Sequence, residues 1–150
     1  MEPDIISFGK KTQCCGIFAG KRLDELDDHV FKESSRINST FGGNLVDMVR
    51  FTIYLEIMES ENLVDLVSEN GSYLLSSLAT IQNEESNVVS NVRGKGLFCA
   101  FDLPSSELRN KLIAKVEEEG ALILGCGHRS IRFRPHLNIS KNEIDRAMVM

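Results

Sequence analysis

The sequence predicts an α/β chain, in which short apolar strands bounded by Gly and polar turns are joined by amphipathic helices. Three observations carry that prediction. Leu45, Val49, Ile53 and Ile57 recur at fourfold spacing, the stripe of one helix. Leu63, Val67, Leu74, Leu78 and Ile81 mark the face of a second. From residue 88 onward, strand-like and helix-like stretches alternate with turn residues between them.

In chain order, residues 3–8 read as a short buried strand ending at Gly9-Lys10-Lys11, and residues 15–19 as another beyond a polar turn. Residues 20–43 are polar and irregular, with Ser34-Ser35 and Gly42-Gly43 as loop markers; a stretch this long carries function or wraps a partner. Met48 and Thr52 broaden the stripe of the first helix. The second helix runs from about 62 to 81, weakened in its middle by Gly71. Residues 88–92 and 97–103 read as strands flanking Arg93-Gly94-Lys95-Gly96, a turn or bulge. That lone GxG is followed by a strand, so it is no dinucleotide fingerprint.

Ser105 caps a helix carrying Leu108, Leu112 and Val116, whose solvated end is Glu117-Glu118-Glu119. Residues 121–124 and 130–133 read as further strands. Ser140-Lys141-Asn142-Glu143 is a capping box opening a last helix that runs to Met150. Two strands at the beginning do not complete a sheet, so the chain is expected to be a fragment cut at both ends.

Composition narrows the function classes. With 42% hydrophobic and 26% charged residues, the chain has the make-up of a soluble globular protein. Its 17 basic and 22 acidic residues leave a net charge of -5 with no basic stripe, which argues against nucleic acid. No apolar run approaches the roughly 20 residues that span a bilayer, and no signal peptide opens the sequence. Cys14, Cys15, Cys99 and Cys126 have neither zinc-ligand nor disulfide-framework spacing, so a cytoplasmic location is expected.

Four segments could bear chemistry. Lys10 lies just past a strand, where a desolvated amine becomes a nucleophile toward an aldehyde; a solvated turn is the plainer reading of its position alone. Ser39-Thr40-Phe41-Gly42-Gly43-Asn44 places hydroxyls and free amides before a helix, suited to a phosphate, although N-capping explains the same residues. Arg129, Arg132 and Arg134 crowd one strand. One of them could hold a carboxylate bidentately, while an exposed edge strand would account for all three. Cys126-Gly127-His128 is at most half a metal site, and His29 and His136 stand alone, so no metal is expected.

Taken together, these segments resemble the class III aminotransferases over essentially the whole chain. The matching pieces are Pro3-Asp4-Ile5-Ile6-Ser7-Phe8-Gly9-Lys10-Lys11, Asn38-Ser39-Thr40-Phe41-Gly42-Gly43-Asn44, Val92-Arg93-Gly94-Lys95-Gly96-Leu97 and Ser130-Ile131-Arg132-Phe133-Arg134-Pro135. Gly9-Lys10-Lys11-Thr12-Gln13, Cys99-Ala100-Phe101-Asp102-Leu103-Pro104 and Gly125-Cys126-Gly127 look most like the lysine epsilon-aminotransferase subgroup.

The resemblance implies the C-terminal part of a fold-type I transferase dependent on pyridoxal 5'-phosphate. Residues 1–60 would end its large α/β cofactor domain, and 61–150 would form a small α+β domain, incomplete at its end. It implies that Lys10 binds the cofactor covalently and shuttles the proton, the family pattern favouring the lysine directly after Gly9 over Lys11. It further implies that Thr40 donates to the cofactor phosphate across a homodimer interface, and that Arg132 holds the alpha-carboxylate of 2-oxoglutarate or glutamate. The expected reaction passes the terminal amine of L-lysine to 2-oxoglutarate, giving glutamate and a lysine-derived semialdehyde. The family's phosphate loop, ring-stacking aromatic and pyridine-nitrogen aspartate would all precede residue 1, so the 150-residue piece alone is expected to be inactive.

Overall fold

A computed structural model describes residues 3–37 and 40–149. The chain folds as two compact units, Met1–Glu61 and Asn62–Met150.

The first unit opens with strand β1 (Ile5–Phe8), paired antiparallel with β2 (Gly16–Ala19) so that Phe8 lies opposite Gly16. Gly16 is required there. A Cβ on it would come within 2.5 Å of the Phe8 ring. That ring stacks on Phe18 at 4.7 Å and on Phe51 at 5.6 Å, which docks helix α1 (Leu45–Ser60) on the hairpin. Asn44 caps α1, its side-chain oxygen accepting from the Val46 N–H at 3.0 Å. Residues 20–37 and 40–43 are bends, turns and irregular chain apart from one 3-10 turn, Lys21–Glu25, whose Leu23 is buried.

The strands were expected to be buried, and here the structure differs: Ile5 and Ile6 are 47% and 49% exposed. A two-stranded ribbon has no third strand or covering layer to shield both faces. Helix α1 likewise contains no buried residue, although Val46, Val49, Ile53, Leu55 and Ile57 are all large and apolar.

The second unit is built differently. Helix α2 (Leu63–Glu84) is followed by strands β3 (Ser90–Lys95) and β4 (Phe98–Asp102), helix α3 (Ser106–Glu118), strands β5 (Leu124–Cys126) and β6 (Ser130–Phe133), and helix α4 (Lys141–Met148). The strands form one antiparallel sheet in the order β3-β4-β6-β5. Alternation along each strand sends Cys99, Phe101, Ile131 and Phe133 to one face. There they meet Leu74 and Leu78 of α2, Leu108, Leu112 and Ile113 of α3, and Ile144 of α4.

Gly71, which weakened the helix prediction, explains how α2 seats itself. A Cβ at this buried position would lie 2.2 Å from the backbone of Gly96, so only glycine admits the β3-β4 turn. That turn is two residues long, with Gly96 in the left-handed region at φ 54. Arg93-Gly94-Lys95, read from sequence as turn or bulge, is therefore strand; the register shift falls earlier, between Ser90 and Arg93.

The strand expected over 121–124 is displaced to Leu124–Cys126. Residues before it finish α3 instead: the Gly120 N–H donates to Glu117 and the Ala121 N–H to Val116, a Schellman closure around Gly120 at φ 92. Helix α4 opens with the expected capping box, Ser140 and Glu143 each bonding the other's backbone N–H.

Candidate functional site

The first unit carries Lys10 and Thr40, and the second carries Arg132. Lys10 follows the anchored Phe8 by two residues and starts a 3-10 turn, Lys10–Thr12. The Gln13 N–H closes that turn onto the Lys10 carbonyl at 2.9 Å, and the Gln13 side chain donates to the same oxygen at 3.2 Å. Arg50 of α1 donates to the Gln13 side-chain oxygen at 3.2 Å, tying the turn to the helix.

Lys10 has φ 58, a left-handed conformation that a lysine adopts at a cost and that Lys11 does not share. Its predecessor is glycine for a local reason: a Cβ on Gly9 would stand 3.0 Å from the Cys15 sulfur. The strained backbone distinguishes Lys10 from its neighbour, and among the described residues its amine makes no hydrogen bond or ion pair. Lys10 is exposed in this chain.

Thr40 lies in the turn 40–43 just ahead of the Asn44 cap, and it too is exposed. Gly43 supplies the left-handed φ of 75 that the turn into the helix needs. Capping is thus done by Asn44, and among the described residues the Thr40 hydroxyl makes no hydrogen bond; Asn38 and Ser39 lie outside the described residues.

Arg132 sits in β6, an interior strand between β4 and β5. The edge-strand reading of the arginine cluster is therefore wrong for this position. Arg129 and Arg134, just outside the strand, are exposed, whereas Arg132 is half-buried. Its Nε is fully buried with no hydrogen-bond partner among the described residues, an orphaned donor of the kind that a bound anion satisfies. Arg132 projects from the face of the sheet opposite the core. It helps line an open depression of about 410 Å³ together with Arg93, Phe98, Ala100 and Cys126.

One cluster beside Arg132 escaped the sequence reading. Asp102, at the end of β4 and 8% exposed, accepts from the Ser130 hydroxyl at 2.6 Å, Asn91 Nδ2 at 2.9 Å and Arg93 Nη1 at 2.9 Å. Those bonds, Ser130 foremost, hold its carboxyl down at about 2. The available signal was a single acidic residue closing an otherwise apolar strand.

The first unit's donors, a primary amine on a strained turn and a hydroxyl ahead of a helix N-terminus, fit a phosphorylated aldehyde. In the second unit, a guanidinium without a partner among the described residues suits an acid.

The chain resembles known proteins over nearly its whole length. It is 47% identical to an L-lysine-epsilon aminotransferase of Streptomyces clavuligerus over 99% of its own length and 33% of that protein's. It is 36% identical to the mitochondrial 4-aminobutyrate aminotransferase of Rattus norvegicus over 89% of the chain and 26% of that protein. The solved lysine aminotransferase of M. tuberculosis in its internal aldimine form superposes with a TM-score of 0.92 at 45% identity, covering 99% of this chain and 34% of that one. The chain spans about a third of the length of these lysine aminotransferases. It matches the aminotransferase class-III family from residue 1 to residue 150. The chain belongs to the class III aminotransferases.

Proposed function

We propose that the chain is the C-terminal part of a pyridoxal-phosphate-dependent enzyme that transfers the terminal amino group of L-lysine to 2-oxoglutarate. The observation that carries this reading is the gradient of similarity: 47% identity over 99% of the chain to a lysine aminotransferase, against 36% over 89% to a 4-aminobutyrate aminotransferase. Met1–Glu61 would complete the large cofactor domain, and Asn62–Met150 would form the small domain.

When bound, pyridoxal phosphate supplies an electrophilic carbonyl and an electron sink. The rest is done by the protein. The Lys10 amine would hold the cofactor in the resting enzyme; once displaced by substrate, it would take the proton from the carbon bearing the transferred nitrogen and pass it to the carbon that was the cofactor's carbonyl, with the reverse transfer in the second half reaction. The Thr40 hydroxyl would donate to the cofactor phosphate, in this family from the opposite subunit of a homodimer. Arg132 would engage the alpha-carboxylate of 2-oxoglutarate or glutamate through a two-pronged, charge-assisted contact that satisfies its orphaned Nε. Glutamate and a lysine-derived semialdehyde would be the products, formed in the cytoplasm. Consistent with a protein that does not cross membranes, no helix among the described residues is long and apolar enough to do so.

The decisive experiment compares L-lysine, L-ornithine and 4-aminobutyrate as donors to 2-oxoglutarate in the complete enzyme. L-Lysine should give the highest kcat/KM by at least about tenfold, a difference of about 1.4 kcal/mol in transition-state binding. A preference for either other donor would reject the lysine assignment and keep the family.

A further inference from the structure

Helix α1 grips the chain on both sides of Lys10. Just before it, the Phe8 ring stacks on Phe51 at 5.6 Å. Just after it, the Gln13 side-chain oxygen accepts from Arg50 at 3.2 Å. Arg50 and Phe51 are consecutive in α1, so a single turn of that helix holds both flanks of the Lys10–Thr12 turn. All of these groups belong to Met1–Glu61.

The Gln13 amide does two things at once. Arg50 can only donate, so the amide atom that faces it is the oxygen. That orientation turns the amide nitrogen onto the Lys10 carbonyl, to which it donates at 3.2 Å. The Gln13 backbone N–H reaches the same carbonyl at 2.9 Å. Lys10 and Gln13 both hold left-handed backbone, at φ 58 and φ 59, which residues with a side chain seldom adopt unless their contacts impose it. Just past the turn, the Thr12 hydroxyl donates to the Cys14 carbonyl at 2.6 Å. The backbone angles of Lys10 set the direction in which its side chain leaves the chain. Two bonds to its carbonyl therefore fix the base from which its amine works.

We propose that Gln13 is a positioning residue for the Lys10 amine, with Arg50 acting on it from α1. The Gln13 amide keeps Lys10 in its left-handed conformation, and Arg50 keeps that amide turned donor-first toward the Lys10 carbonyl. This deepens the reading of Lys10 as the cofactor-binding lysine and rests on it. The role needs no contact with cofactor or substrate, because it is exercised through the Lys10 backbone.

The test uses the complete enzyme loaded with pyridoxal phosphate. Its visible absorption is titrated with pH, which reports the surroundings of the lysine nitrogen joined to the cofactor. The kcat and KM for L-lysine and the melting temperature are measured in parallel. Gln13→Met keeps the length of the side chain and removes both donor and acceptor. It should displace the absorption midpoint by about 0.5 pH unit or more and lower kcat about tenfold, with KM within about twofold of wild type. Arg50→Met should lower kcat about threefold, and it carries the same test if Gln13→Met does not fold. Arg50→Lys still donates and should stay within about twofold of wild type.

The double variant Gln13→Met/Arg50→Met should be no worse, within about twofold, than Gln13→Met alone, because Arg50 acts through Gln13. Losses that multiply in the double variant would overturn the proposal. So would a Gln13→Met enzyme with unchanged kcat and absorption midpoint. A lower melting temperature with the midpoint unmoved would make Gln13 a stabiliser of the turn and nothing more, which overturns the proposal equally. If Lys10→Ala keeps the visible absorption of a lysine-bound cofactor, the assignment of Lys10 falls first and the proposal falls with it.

Discussion

The two units of this chain show helices with the same kind of apolar content in opposite situations. In Asn62–Met150, α2 buries Leu63, Leu74 and Leu78. Leu74 and Leu78 close a core with Ile131 and Ile144, which are 0% and 1% exposed. In Met1–Glu61, α1 has an apolar residue on nearly every side and buries none of them. A helix that is apolar all round is one that larger proteins bury. Local sequence is enough to define α1 as a helix. No described residue of its own unit buries it, and the chain spans a third of the length of its lysine aminotransferase relative. The contrast also separates the proposed chemistry: the lysine that would do covalent work lies in the open unit, and the arginine that would hold an acid lies in the packed one.

The largest expected effect tests that division. Lys10→Ala in the complete enzyme should reduce transamination of L-lysine at least ~10³-fold, measured as glutamate formed, while circular dichroism stays unchanged. An active variant would move the covalent role elsewhere, Lys11 being the first alternative.

Packing gives the next contrast. In the 150-residue chain, Leu78→Ala should cost about 2–5 kcal/mol in denaturant unfolding, because it opens a cavity in a closed core. Ile53→Ala, at a site 47% exposed, should change stability by less than about 0.5 kcal/mol. Equal losses would mean that the open unit is packed after all. Gly71→Ala sharpens the point. Helix propensity alone favours alanine by about 1 kcal/mol. The 2.2 Å approach to the Gly96 backbone should reverse that sign and cost about 1–3 kcal/mol. A stabilised variant would show that the β3-β4 turn can retreat.

The last effect is confined to acid. The Asp102 carboxyl lies at about 2, below the ordinary 3.8, so its contribution is fully present above pH 4 and is lost as pH falls through 2. That contribution is about 2 kcal/mol. Asp102→Asn should therefore narrow the gap between stability at pH 6 and at pH 2, whereas Asp4→Asn, whose partner Arg22 is 74% exposed, should leave it nearly unchanged.

Much of the second unit was legible beforehand. Its helices declared themselves through spacing, through the Ser105 cap and through the Ser140 box. Strand ends were less readable. Arg93-Gly94-Lys95 carries two charges and a glycine, a turn-like composition, yet it is strand because β4 supplies hydrogen-bond partners along its whole length. At Ala121 the apolar run Ala121-Leu122-Ile123 looked like a strand start, but the chain was still closing α3 there.

By itself, the sequence determined the family and the local elements, because motif wording and periodicity are properties of short stretches. It also singled out Lys10, Thr40 and Arg132 as candidates for cofactor and substrate contacts. The tertiary structure alone decided three things: that Arg132 lies on an interior strand, that Asp102 engages Arg93 and Ser130, and that α1 stays uncovered while α2 does not. Each depends on which strand or helix becomes a neighbour. That choice is made by pairing and burial between segments up to seventy residues apart, as when Asn70 donates to the Ile139 carbonyl at 2.7 Å, and no local pattern encodes it.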